Sequence, residues 1–496
     1  MPNDRETRKW RQRRIIYNND GNDVNVKGVT TAKRFHEVRN NHMLGTNIDS
    51  VFYCTGAATM FTNLIPNGIG ETYGEFITDD SGEWNVNGRD NILALAEQGL
   101  DTVNLMSAFC REHSYEFFFS HRINDIHDSV PVWTPEMSRW KRQHPQYMMG
   151  KIGDWERFDD ADPRKFFSAL DFEIPEVLDY LFVILEDVCG RYDLDGIEID
   201  YFRSPFLFRP NLEFKSATQG QCDLLTAFQQ RIRDMVGDKL IAIRTPLTIE
   251  KCLHVGIDIE RWLEEDLLDI MIGGGGYIPF TQPNRAFVEL AHRHNKPAYP
   301  AINASGMRSG DYTKIGNDTP AGWRGAAANI WQSGADGVYT FNICPETDDA
   351  PAMTGSVWWP TADQDPRFND LASPELLAGL DKVFTIDRWR CDEGDLAQGI
   401  VQDHVLPKTI DGELVLNLPV GENISAATLE MRIELSAKAN LQIIINDHNV
   451  EIAKVDGLMI VANPSAEVFE VGNNVIVLQS TKTVDVVRLE LDVKYK

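Results

Sequence analysis

Cysteine is scarce in this chain and has no pattern. Seven thiols are spread over 496 residues without a CxxC pair. That excludes a disulfide framework or a zinc-ribbon spacing and points to reduced, mostly core cysteines. No apolar run is long enough to span a bilayer. Positive charge is also in deficit: 48 Lys and Arg stand against 75 Asp and Glu, a formal net charge of −27. Such a surface repels phosphates and anionic lipids, so neither nucleic acid nor membrane is an expected partner. The basic opening MPNDRETRKWRQRRIIYNND lacks the apolar core of a secretory signal. The chain therefore reads as cytoplasmic as written, or as periplasmic or secreted if a signal peptide has been removed. A G-x-S-x-G elbow, a P-loop and a dinucleotide-binding glycine turn are all missing, which argues against a serine hydrolase and against nicotinamide or flavin chemistry. No cofactor is expected.

What is present is an ordinary globular composition, 43% hydrophobic and 25% charged. Up to about residue 385, short apolar runs alternate with helical patterns. The expected strands are Arg14–Tyr17, Ser50–Cys54, Tyr115–Arg122, Gly196–Tyr201, Leu240–Arg244, Asp269–Ile272, Pro297–Ile302 and Gly337–Phe341. Helical spacing marks Asp101–His113, Ile174–Tyr192, Cys222–Val236, Ile257–Asp266, Pro283–His294, Pro320–Gly334 and Pro374–Phe384. Strands alternating with helices pair in parallel, and eight such units predict a closed (β/α)₈ barrel, ranked above an open doubly wound sheet. The glycine run from Gly273 to Gly276 is read as close backbone approach at the barrel mouth. Beyond residue 385 the pattern changes to short alternating strands (LVLNLPV, LEMRIEL, LQIIIND, VVRLELDVKY). We expect domains over 1–385 (the barrel) and 386–496 (an all-β sandwich, carbohydrate-binding or structural).

The run Asp195-Gly-Ile-Glu-Ile-Asp-Tyr-Phe-Arg203 carries the strongest chemical signal. Alternate side chains of a strand share a face, so Glu198 and Asp200 point the same way. Two carboxylates on an otherwise apolar strand are costly unless paired or used. Catalytic groups of such barrels lie at the C-terminal strand ends. There the sequence delivers Asn18, Asn19 and Asp20; Tyr53; Arg122, Asn124, Asp125 and His127; Asp200 and Arg203; Arg244; Asn303; and Tyr339 and Asn342. Long loops at the same end carry aromatics, Trp133 among them, whose faces suit a sugar ring. The amides of Asn18 and Asn19 suit sugar hydroxyls or cap the following segment. We expect Glu198 to be held ionised between Arg122 and Arg244, leaving Asp200 free for catalysis, with Asp125, then Glu198, then Glu250 or Asp20 as the acid/base. Asp125, His127 and Asp128 match no metal-site spacing, and no metal is expected.

The segments DLDGIEIDYFRSP, LDFEIPEVLDYLFVILEDVCGRY, RRIIYNNDGND and FFFSHRINDIHD resemble glycoside-hydrolase-like barrel proteins of the family-10-like group. That resemblance implies a (β/α)₈ fold and action on glycosides. It carries over onto Asp195, Gly196, Asp200 and Arg203, and more loosely onto Asn18, Asn19, Asp20, Asn124, Asp125, His127 and Asp128. The expectation is a glycosidase acting on an oligo- or polysaccharide through a carboxylate pair. The arginines would admit an acidic or sulfated sugar. The alternatives are a barrel that binds carbohydrate without turnover, and a metal-dependent sugar lyase or isomerase using His127 as base.

Overall fold

The computed structural model of the chain describes residues 4–55, 69, 71–74, 76–159, 162–274, 284–303, 319–341, 367–386 and 406–495. Eight strands form a closed parallel barrel in sequential order: β1 (Ile15–Asn19), β2 (Ile48–Cys54), β3 (Glu116–Arg122), β4 (Gly196–Asp200), β5 (Leu240–Pro246), β6 (Ile270–Gly274), β7 (Ala298–Asn303) and β8 (Val338–Phe341). Every expected strand is found within a few residues.

Helices between the strands bury their apolar stripes on the outside of the wheel. In Thr102–His113 the Asp101 side chain accepts from Asn104 N, and in Pro175–Arg191 proline occupies the first turn. Helix Glu83–Glu97 occupies part of what the sequence reads as a long loop after the second strand. Its buried face is half polar: Asn91 donates to the carbonyls of Val24 and Val26 (both 2.7 Å), and Gly88 packs on Asn25 and Tyr73. Hydrophobic periodicity is hidden by such a face.

Inside the barrel, the period of two sorts the residues. Ile16, Phe52, Phe118, Ala242, Ile272, Ala301, Tyr339 and Phe341 fill the interior, while Tyr17, Tyr53, Phe119, Ile197, Ile199 and Ile243 face the helices. At the N-terminal floor Arg13 pairs with Glu116 (2.6 Å), and Ser50 adds a bond to the same carboxylate. Gly196 is required by proximity: a Cβ there would stand 2.3 Å from the Phe118 ring. Gly274, in the glycine run, leaves no more room, with the Phe202 ring 2.5 Å from its would-be Cβ. The last two members of that run, Gly275 and Gly276, lie outside the described residues.

The C-terminal part is an antiparallel all-β domain of β9 (Lys382–Ile386), β10 (Lys408–Val420), β11 (Thr428–Leu435), β12 (Gln442–Ile445), β13 (His448–Val450), β14 (Ile452–Asp456), β15 (Met459–Ala462) and β16 (Gly472–Lys494). The 23-residue β16 lies between β10 and β12 in its first half and between β9 and β11 in its second. The expected helix over Pro374–Phe384 is only Pro374–Leu377; the run Lys-Val-Phe-Thr-Ile that follows is β-rich in character and joins this sheet as β9. Strand β9 thus crosses the expected division at 385/386. Helix Pro320–Gln332 packs on it with Gly325 at the closest approach, where a Cβ would lie 2.1 Å from the Val383 carbonyl oxygen. Among the described residues no helix is long and apolar enough to cross a membrane.

Candidate active site

Strand register decides which side chains meet at the mouth. Arg122, Asp200 and Arg244 are direct neighbours across β3, β4 and β5, and Ser120, Glu198 and Ala242 are neighbours one layer deeper. The carboxylate between the arginines is therefore Asp200, and the expected clamp on Glu198 is corrected by one layer. Arg244 Nη1 stands 3.0 and 3.1 Å from the two Asp200 oxygens, and the amides of Phe202 (2.9 Å) and Arg203 (2.8 Å) donate to Oδ1. Phe341 lies between the guanidiniums, 3.9 Å from Arg244 and 5.7 Å from Arg122.

Glu198 is fully enclosed. Ser120 Oγ and Tyr339 OH (2.7 Å) bond its two oxygens, and Asn18 Nδ2 approaches at 3.5 Å. These are neutral partners. Burial, and then the charge of Asp200, push its carboxyl up to about 7, against the hydroxyl bonds and Arg244. Tyr339 is likewise buried, so it forms the floor under the mouth and does not face solvent.

The loop after β3 supplies the rim. Arg203 Nη2 approaches His127 Nε2 at 2.7 Å, and His127 Nδ1 approaches Asp125 Oδ1 at 2.5 Å. A guanidinium only donates, so His127 accepts at Nε2 and gives its Nδ1 proton to Asp125. Burial opposes ionisation of Asp125, but His127, Arg203 and Arg122 outweigh it and hold the carboxyl far below the usual range. Burial also lowers the His127 pKa, with Asp125 opposing and Arg203 assisting. Trp133 meets the His127 ring edge-on at 5.2 Å. Of this group His127 and Arg203 are the more exposed members. Asp20 belongs here too, paired with Arg39 at 3.0 Å; burial raises its pKa and the charges of Arg39 and Arg122 more than reverse this.

Several expected site residues face elsewhere. Tyr53 has outward parity and lies in the helix-facing core against Phe35, with its hydroxyl near Asp23. Asn19, on the same parity, donates to Asp23 (3.1 Å) and accepts from Gly21 N, so it shapes the turn after β1. Asn124 donates to the carbonyls of Leu170 and Phe206 and accepts from Leu170 N, tying two loops together. Glu250 is exposed in the first turn of helix Ile249–His254. Asp195 sits at the other end of β4, holding Phe117 N and Arg111. Asp128 pairs with the enclosed Lys141 (2.9 Å). Asn303 ends β7 opposite Phe341, and Asn342 lies outside the described residues. Of the loop aromatics, Trp140 stacks on Tyr180 (4.3 Å) and Trp155 packs on Phe166 (5.8 Å), both serving loop cores.

The structure adds Ser120, Arg39 and Phe341 to the residues expected at the mouth. Ser120 was legible as the lone hydroxyl of FFFSHR with the parity of Arg122; Arg39 lies on a short helical turn with no pattern to mark it. Among the described residues no three His, Cys, Asp or Glu side chains gather as a metal site.

The molecule is thus a (β/α)₈ barrel with a mouth of paired carboxylates and arginines, followed by an all-β domain. Residues 84–217, which hold β3, β4 and the rim loop, match the family described as glycosyl hydrolase-like 10. No curated protein matches the chain. Among solved structures the chain is similar to an Anoxybacillus alpha-amylase (10% identity, TM-score 0.38, covering 95% of this chain and 99% of that one). It is also similar to the PgaB (BpsB) glycoside hydrolase domain from Bordetella bronchiseptica (12%, 0.39, 73% and 99%). A third is alpha-L-fucosidase isoenzyme 2 from Paenibacillus thiaminolyticus (9%, 0.40, 98% and 100%).

Proposed function

We propose that the protein is a glycosidase that cleaves a glycosidic bond of an oligo- or polysaccharide at the mouth formed by β1, β3, β4 and β5. One observation carries this reading. Two carboxyls on one face of β4 sit in opposed environments: Asp200 is ion-paired between arginines, and Glu198 is enclosed by hydroxyls with its pKa raised to about 7. Glycoside hydrolysis needs such a division, with one carboxyl supplying a proton and another carrying charge against an oxocarbenium-like transition state. Asp200 takes the charged role. Proton supply falls to Glu198 in preference to Asp125, whose pKa is held far below neutrality. Asp125, His127, Arg203 and Trp133 form the rim against which the sugar rests. The glycosyl hydrolase-like 10 match over residues 84–217 supports the substrate class.

A panel of oligosaccharides and chromogenic glycosides, assayed for released reducing ends, tests this. Asp200→Asn should lower turnover by about 10²–10⁴-fold. Retained turnover refutes the role of Asp200. A second reading, a barrel that binds sugar without cleaving it, is favoured by the complete enclosure of Glu198 and the pairing of Asp20, Asp125 and Asp200 with arginines. Saturable binding with no product across the panel would decide for it.

A further inference from the structure

Among the described residues at the mouth, carboxylates and guanidiniums come in equal numbers. Four carboxylates, Asp20, Asp23, Asp125 and Asp200, face four guanidiniums, Arg39, Arg122, Arg203 and Arg244. Arg39 reaches Asp20 at 3.0 Å and Asp23 at 3.7 Å, Arg122 reaches Asp125 at 3.9 Å, and Arg244 reaches Asp200 at 3.0 Å. Arg203 engages His127, whose other nitrogen holds Asp125. Within the described residues four negative and four positive groups cancel, so the set as a whole carries no excess positive charge to draw in an anion. Bringing an anion into a buried, balanced cluster would add a charge that must be desolvated without a partner.

The atoms left without hydrogen bonds say what is wanted instead. Asn18 Oδ1, Asp125 Oδ2 and Arg244 Nε are buried and have no hydrogen-bond partner among the described residues. Each belongs to a residue at most 2% exposed. Buried polar atoms of this kind are normally satisfied by protein, water or ligand. Two of the three are acceptors and one is a donor. A hydroxyl both donates and accepts, so it serves all three; a carboxylate or sulfate only accepts, and it would oppose the oxygens of Asn18 and Asp125.

We infer that this mouth takes an uncharged, hydroxyl-rich saccharide, with ring hydroxyls donating to Asn18 Oδ1 and Asp125 Oδ2, and that it discriminates against uronic and sulfated sugars. The inference deepens the glycosidase reading and rests on it. It replaces the expectation of an acidic substrate drawn from the arginines alone.

The test is titration calorimetry and turnover with the full chain at about 50 and about 500 mM NaCl, against two probe series. One series is neutral (gluco-, manno-, galacto- and xylo-oligosaccharides); the other is anionic (oligogalacturonates and chondroitin sulfate oligosaccharides). Binding within the neutral series, changing less than about twofold between the two salts, is expected. The anionic series should bind at least about tenfold more weakly. Preferential anionic binding that falls steeply with salt overturns the inference and leaves the glycosidase reading standing. If neither series is bound or cleaved, the glycosidase reading fails and the inference with it. Asn18→Leu, which removes the free acceptor, should weaken neutral-sugar binding about 3- to 10-fold; unchanged affinity in the folded variant counts against the proposed contact. Because the wild-type salt comparison needs no variant, the inference stays open to refutation even if Asn18→Leu does not fold.

Discussion

Replacing Asp200 by asparagine should do two separable things, and the structural one has a size that follows from the contacts. Asparagine keeps an oxygen to accept from Phe202 N and Arg203 N, so the turn after β4 survives. What disappears is the charge facing Arg244. That guanidinium is 1% exposed, lies over Phe341 at 3.9 Å and has an unpartnered Nε. Removing one member of a buried pair strands the other, at a cost of about 3–5 kcal/mol. Urea unfolding followed by circular dichroism measures it. Adding Arg244→Met to Asp200→Asn should recover most of the loss, since an apolar replacement of a whole buried pair is near neutral. If Asp200→Asn costs under about 1 kcal/mol, or the double variant is no better than the single, the pair is not the buried contact described. Turnover of Asp200→Asn must then be read at a temperature where the variant is still folded, so that lost chemistry is not confused with lost structure.

Other outcomes follow from the same contacts. Glu198→Gln replaces a carboxyl with neutral partners and should cost only about 1 kcal/mol by urea unfolding; a loss as large as that of Asp200→Asn would mean Glu198 is a charged member of the arginine cluster after all. The pH dependence of stability should turn over near 6.5. Burial lifts the carboxyls of Glu136 to about 8 and Glu198 to about 7, so between about 4.5 and those values the folded state holds protons the unfolded chain has lost, and stability falls as pH rises. Burial lowers His36 and His121 to about 4, which has the opposite sign and fades between about pH 6 and 7.5. From pH 6.5 to 8 the net loss should total about 1–2 kcal/mol, and Glu136→Gln should flatten the slope; an unchanged slope refutes the assignment. Gly325→Ala should destabilise by about 1–3 kcal/mol, because the new methyl meets the Val383 carbonyl. A chain ending at Ile386 should aggregate where the full chain does not, since it leaves β9 without its partner strand β16; a monodisperse, cooperative unfolder would show the barrel to be independent.

The barrel was readable because each of its strands is a short apolar run bounded by turn residues, and eight of them alternate with helical spacing. The mouth was half readable. Asp200, Asp125, His127, Arg122, Arg203 and Arg244 are gathered where strand ends predict. Tyr53 and Asn19 stand at strand ends but on the wrong parity for the mouth: Val51 and Tyr17 beside them mark the outward face. The error on Glu198 is of the same kind. Register pairs Arg122 and Arg244 with Asp200, and no sequence pattern states a register between strands separated by 44 or more residues. Asn124 looked like a ligand-binding amide, but its partners are carbonyls of Leu170 and Phe206, contacts made only once two loops close on each other.

Strand β16 carries a consequence for how the chain is made. Ile386 leaves the ribosome long before Leu489, the residue it pairs with, yet helix Pro320–Gln332 already needs β9 as its cover. During that interval β9 presents an unpaired strand edge while about a hundred further residues are translated, several seconds at ordinary elongation rates. The nascent chain therefore passes through a sticky stage late in synthesis, and pauses or truncations between β9 and β16 are where a holding chaperone would be needed most.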